Sequence, residues 1–310
     1  MIIDQLIEAI NKKASPIVAG LDPLVAKLPK YLVDAAERDR GKGTAATASA
    51  MLQFNTQILE AIAPIVPAVK LQKACYEVLG PEGLITFEKS AQKAKDLGLI
   101  VIDDSKRGDI GSTAALYAEA TIGKGLASDF TTVNPYLGWD GIEPFMVTAQ
   151  KNNKGFFLLV RTSNPSASNY QEASIDGIPL YRKIAQDLER RASASVNKAG
   201  YSDLGAVVGA TWPDEAEQLR EDMPSCYFLV PGYGAQGGSG LDVMPTFDKN
   251  GYGALINSSR GIIFASQRDD LPSQLKGEEL FADAAAWAAT AMKEDLLSCL
   301  KEVNKLPDNW

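Results

Sequence analysis

The chain has 310 residues, 45% of them hydrophobic, which is enough to bury a large core and suits one large domain or two small ones. A net charge of -8 at pH 7 argues against a nucleic-acid or anionic-membrane surface, since both need clustered Lys and Arg, and leaves a small molecule as the expected partner. With no histidine anywhere, Ser-His and Cys-His nucleophilic machinery, a His-ligated metal and an imidazole general base are all excluded.

The N-terminal MIIDQLIEAINKKASP mixes charge with apolar residues at helical spacing and holds no apolar stretch long enough for a signal peptide or a span. Eight apolar runs of strand length then follow. They are PIVAGLD (16–22), VPAVKLQ (66–72), GLIVIDD (98–104), ASDFTTVN (127–134), GFFLLVR (155–161), LGAVVGAT (204–211), CYFLVPG (226–232) and GALINSS (253–259). Helical patterns such as TASAMLQFNTQILEAIAP, GLITFEKSAQKAKDLG and PLYRKIAQDLERRASASVNKAG lie between them, and GEELFADAAAWAATAMKEDLLSCLKEVNKL closes the chain. Strands that are apolar throughout and alternate with helices are parallel strands covered on both faces. Eight of them predict an α/β fold, a (β/α)8 TIM barrel, as a single domain over 1–310 with inserted loops near 24–50 and 163–180. Cys75, Cys226 and Cys299 are odd in number and never form a C-x-x-C pair, so neither a disulfide framework nor a zinc site is expected. The expected setting is a reduced, cytoplasmic one.

Such barrels place their chemistry at the C-terminal ends of the strands. The third run leads into DDSKRGDIGST (103–113), with three carboxylates and two cations in seven residues. Strand alternation points Asp104 and Lys106 to one face and Asp103 and Ser105 to the other. Asp109 follows Gly108, where the chain turns back to the same cavity or away to a neighbouring subunit. Taken alone, D-x-K-x-x-D-I equally suits a structural ion pair at a strand end. Asp22 ends the first run and Lys70 lies on the second, and these have bland readings too, as a helix cap before Pro23 and a snorkelling lysine. After the seventh run comes PGYGAQGGSG (231–240), and after the eighth NSSRG (257–261). Glycine lets backbone N–H groups approach a phosphate closely, and Arg260 adds a charged fork of donors.

Taken together, VAGLDP, VKLQ, DDSKRGDIGST, TVNPYLGWD, LVRTSNPSA, VVGATWP, VPGYGAQGG and INSSRG resemble the orotidine 5'-phosphate decarboxylase family, in its longer, mostly bacterial branch. The segment VKLQKACYE departs from the family pattern at Leu71 and Lys73, and the strand register selects Lys70 over Lys73 as the second lysine of the site. The resemblance implies a cofactor-independent and metal-free decarboxylation of orotidine 5'-phosphate to uridine 5'-phosphate in pyrimidine synthesis, by a homodimer. It implies that Asp22 and Lys70 hold the ribose hydroxyls, and that Asp104, Lys106 and Asp109 surround the reacting carbon, with Lys106 as proton donor. Asp109, Ile110 and Thr113 are expected from the other subunit. Ser163 is expected on the pyrimidine, Gln236 across the ligand, and Arg260 with the amides of Gly237 and Ser259 on the phosphate. Two other readings compete: a phosphosugar lyase using the same barrel-end motif with Mg2+, and a non-catalytic phosphometabolite binder. The RTSNP and AQGG segments oppose the first, and the full set of four charges opposes the second.

Overall fold

The computed structural model describes residues 1–234 and 239–310. Among them, eight strands form a closed, all-parallel barrel. They are β1 (Ile17–Leu21), β2 (Ala68–Gln72), β3 (Ile100–Arg107), β4 (Phe130–Val133), β5 (Gly155–Arg161), β6 (Leu204–Val208), β7 (Phe228–Pro231) and β8 (Ala254–Ser258). Each falls within one of the eight expected apolar runs, apart from the three-residue extension of β3 to Arg107. The barrel closes where Ile17 pairs with Ile256 of β8. Among the described residues, no helix is long and apolar enough to cross a membrane.

Period-two alternation divides the core in two. Val18, Ala68, Ile100, Ile102, Phe130, Phe157, Leu229 and Leu255 fill the barrel interior. Their neighbours Ala19, Val69, Val101, Phe156 and Val230 face the surrounding helices. Helix α1 (Ile2–Lys13) is amphipathic, and its buried Ile2, Ile3, Leu6 and Ile10 join the interior cluster, closing the end of the barrel opposite the strand C-termini.

The segment 24–50 is not the loop expected from its sequence. It holds a short turn at Val25–Lys27, helix α2 (Lys30–Arg40) and the start of helix α3 (Thr44–Ile62). The run GTAATASA suggests an inserted loop, yet alanine is the strongest helix former, and Ala46, Ala48 and Ala50 are buried. Only Gly41–Gly43 breaks the helical run, with Gly41 at φ 75° and Gly43 at φ 144°. The segment 163–180 is closer to expectation: a turn at Pro165–Ala167, one helical turn at Ser168–Gln171 and a two-residue antiparallel hairpin joining Ser174–Ile175 to Ile178–Pro179.

Leu6 is fully buried beneath the barrel interior. Leu6→Ala should therefore lower the unfolding free energy by about 2–5 kcal/mol, read from urea titration. A loss under about 1 kcal/mol would show that α1 does not belong to the cooperative core.

Candidate active site

On β2 and β3 the inward-facing positions nearest the strand C-termini are polar, where those deeper in the barrel are apolar. Along β2 the inward residues are Ala68, Lys70 and Gln72; along β3 they are Ile100, Ile102 and Asp104, and the register sets Gln72 beside Asp104. These side chains open onto a cavity of about 1240 Å³. Asp22, Lys70, Asp104, Lys106, Ser163, Ser259 and Arg260 all line it.

Asp104 is its electrostatic centre. One carboxylate oxygen accepts from Lys70 Nζ at 2.7 Å and from Gln72 Nε2 at 3.1 Å. The other accepts from Lys106 Nζ at 2.6 Å and from Thr132 Oγ1 at 2.9 Å. Lys70 reaches Asp22 at 3.4 Å as well. Burial works against ionisation of Asp104, but Lys70 and Lys106 overcome it and hold the carboxyl well below the usual carboxylate range. Burial likewise works against the Lys70 charge, and Asp104 and Asp22 overcome it and raise its pKa above that of an ordinary lysine.

Lys106 is built differently from Lys70. Its φ is +50°, a left-handed conformation that costs a non-glycine residue about 1–2 kcal/mol. The β3–β4 register shifts between Asp103 and Arg107, and the Lys106 backbone N–H donates to Thr132 Oγ1 at 2.8 Å. Thr132 thus ties the lysine backbone to the carboxylate that the lysine head contacts. The Lys106 side chain is 43% exposed, against 6% for Lys70, so the first projects into the cavity while the second is embedded in its wall.

Lys73 lies outside this network. It pairs with Asp103 at 2.9 Å on the outer face of the sheet, its ammonium 3.8 Å from the Phe87 ring centroid. Asp103 Oδ1 has no hydrogen-bond partner, and burial pushes the Asp103 pKa up despite Lys73. Gln72 and Thr132 are site residues the sequence reading passed over. The alternation that selects Lys70 also selects Gln72, but a neutral side chain adds nothing to a charge pattern.

On the far side, Ser259 precedes the short helix Arg260–Ile263. A Cβ on Gly20 would fall 1.9 Å from Ser259 Oγ, so the bare α-carbon of β1 is what lets this hydroxyl into the wall. Gln236 and Gly237 lie outside the described residues. Asp109, Ile110 and Thr113 do not line the cavity of their own chain. Asp109 instead accepts from the Ile110 N–H at 2.8 Å, and Ile110 is 56% exposed.

A profile of the orotidine 5'-phosphate decarboxylase / HUMPS family matches residues 44–270. The orotidine 5'-phosphate decarboxylase of Rhodopirellula baltica is 42% identical over 298 residues, covering 94% of this chain and 97% of the relative. The chain belongs to the orotidine 5'-phosphate decarboxylase family. A second relative of that name, from Clostridium kluyveri, is 35% identical and covers 98% of this chain and all of its own length. Among solved structures, the Leishmania donovani OMP decarboxylase superposes with a TM-score of 0.73 at 27% identity, covering 96% of this chain and 97% of that one. These matches place the chain in a decarboxylase family over nearly its full length.

The Asp104 and Lys70 shifts set a pH window. The depressed carboxyl stabilises the fold above the unfolded aspartate value near pH 4, and this contribution is lost as pH falls through the folded value. The raised lysine stabilises below the unfolded lysine value near pH 10, and its contribution is lost as pH rises through the folded value. Asp104→Asn should lower the thermal midpoint by a constant amount from about pH 5 to about pH 9, and by progressively less below about pH 4. A difference that varied across neutral pH would mean that another group governs this stability.

Proposed function

We propose that the chain is a carboxy-lyase that converts orotidine 5'-phosphate to uridine 5'-phosphate, the last step of de novo pyrimidine nucleotide synthesis, without a cofactor. The observation that carries this reading is the Lys106–Asp104–Lys70 array at the cavity mouth. Loss of carbon dioxide breaks the C6–carboxylate bond and leaves its electron pair on C6, as a vinylic carbanion that the pyrimidine ring delocalises poorly. Stabilisation must then come from charge held in place beforehand. The Lys106 ammonium stands beside C6 and gives it a proton, and solvent restores the lysine. At about 4 Å and an effective dielectric of about 20, one such contact is worth about 4 kcal/mol before desolvation is counted. The remainder comes from positioning and from binding energy at the remote phosphate, used to close the pocket and expel water.

Asp104 stays ionised and lies near the substrate carboxylate, where like-charge repulsion raises the ground state in a supporting role. Asp22 and Lys70 hold the ribose hydroxyls. Ser163 hydrogen-bonds the pyrimidine and Gln236 reaches across the ligand. Arg260, with the amides of Gly237, Ser259 and Arg260, holds the phosphate. The working form is a cytoplasmic homodimer in which Asp109, Ile110 and Thr113 complete the partner's site. The absence of these three from their own cavity wall supports this arrangement.

Ultraviolet loss of orotidine monophosphate with appearance of uridine monophosphate tests the reaction directly. Lys106→Ala should lose nearly all turnover while still binding the product. Retention of more than a few per cent would remove Lys106 from the chemistry, since even a hundredfold loss is only about 2.7 kcal/mol.

The shared site is tested by mixing two inactive homodimers, Lys106→Ala and Asp109→Ala. Random exchange makes half the dimers mixed, each with one intact site, so about a quarter of the wild-type activity should return. No recovery after demonstrated exchange would place Asp109 in its own chain's site.

A further inference from the structure

Arg161 ends β5 and is fully buried, yet it does not line the cavity. The β5–β6 register shifts between Leu159 and Arg161, an irregularity of the kind that re-aims a side chain. The guanidinium carbon stands 4.1 Å from the Trp212 ring centroid and 5.2 Å from that of Tyr181. Its Nη2 donates to Glu172 Oε1 at 2.6 Å and to Glu215 Oε1 at 3.4 Å. Nε and Nη1 have no hydrogen-bond partner, so the charge depends on these two carboxylates and on the aromatic faces.

Glu172 belongs to the 163–180 segment, whereas Glu215 lies in the first turn of the helix Pro213–Asp222. Further bonds fasten the same stretch. The Thr162 N–H donates to Gln171 Oε1 at 3.0 Å, Gln171 Nε2 donates to Thr162 Oγ1 at 2.7 Å, and the Trp212 indole donates to Thr162 O at 2.9 Å. The inner side of the segment, Ser163, Asn164, Tyr170, Gln171 and Ala173, forms one wall of the cavity.

We infer that Arg161 and Glu172 form a clasp that fixes the 163–180 segment over the base end of the cavity, making Arg161 a positioning residue for nucleobase recognition. The inference rests on the proposed assignment of Ser163 to the pyrimidine. The two ends of the pair differ in kind. Glu172 is 47% exposed at its side chain and can turn to water, whereas Arg161 has no solvent to turn to. The pair therefore holds the segment to the barrel. Removing the Glu172 charge frees the segment and leaves Glu215 to neutralise the arginine, so the barrel stays folded.

The test uses Glu172→Gln in the full-length chain, with its thermal midpoint checked against wild type. The expected result is a roughly tenfold rise in KM for orotidine monophosphate and in Kd for uridine monophosphate, with kcat within twofold and the Kd for ribose 5-phosphate unchanged. Equal weakening of the nucleotide and of ribose 5-phosphate would overturn the inference, as would no weakening of either. Hydrogen exchange of the unliganded chain gives a reading that needs no substrate. The amides of Thr162, Ala173 and Leu180 should exchange at least tenfold faster in Glu172→Gln, and unchanged rates would show that no clasp exists. If wild type itself fails to bind the nucleotide, the proposed function falls while the exchange rates still decide the clasp.

Discussion

The charged cluster at the mouth of this barrel is arranged around one buried carboxylate. Asp104 sits where a lone charge would be costly, and the described residues bring four donors to its two oxygens: Lys70, Gln72, Lys106 and Thr132. Each comes from β2, β3 or β4, so the shape of the network follows from the register of three adjacent strands. Asp104 in turn counters the burial of Lys70 and fixes the head of Lys106. Without it the barrel would enclose a lysine whose remaining anionic contact, Asp22, is 3.4 Å away. The wall is therefore both an ion cluster that must form if the strands are to close and an array of charge held ready before any ligand arrives.

The two lysines differ as their surroundings require. Lys70 lies within a regular strand, its stem covered by the wall and its head paired on two sides. Lys106 lies where β3 loses its regular pairing with β4 and the backbone turns left-handed, and its side chain is the more exposed of the two.

The barrel was legible in the sequence because parallel strands covered on both faces read as unbroken apolar runs. The inward set Asp22, Lys70, Asp104 and Lys106 was legible because charge at the end of such a run stands out and period two assigns its face. Gln72 and Thr132 obey the same period but carry no charge. Arg161 ends its apolar run as plainly as Asp104 does, yet its partners lie 11 and 54 residues away, and no local pattern joins them. The first turn of α3 was hidden by composition, since glycine, threonine and alanine at 41–46 resemble an inserted loop until a core is present to bury the alanines.

β3 carries two consecutive buried carboxylates that face opposite ways, and β2 with the turn beyond it answers both. Lys70 and Gln72 meet Asp104 on the inside, while Lys73 meets Asp103 on the outside. A slip of one residue between these strands would exchange the faces of Asp103 and Asp104, so that at most one of the two acids could still meet a lysine of β2 or of the turn beyond it. Parallel strands joined through long crossovers have little local guidance to their alignment and pair slowly. Here the charges themselves penalise misaligned pairings during folding, so residues suited to chemistry in the finished barrel also help the chain reach it.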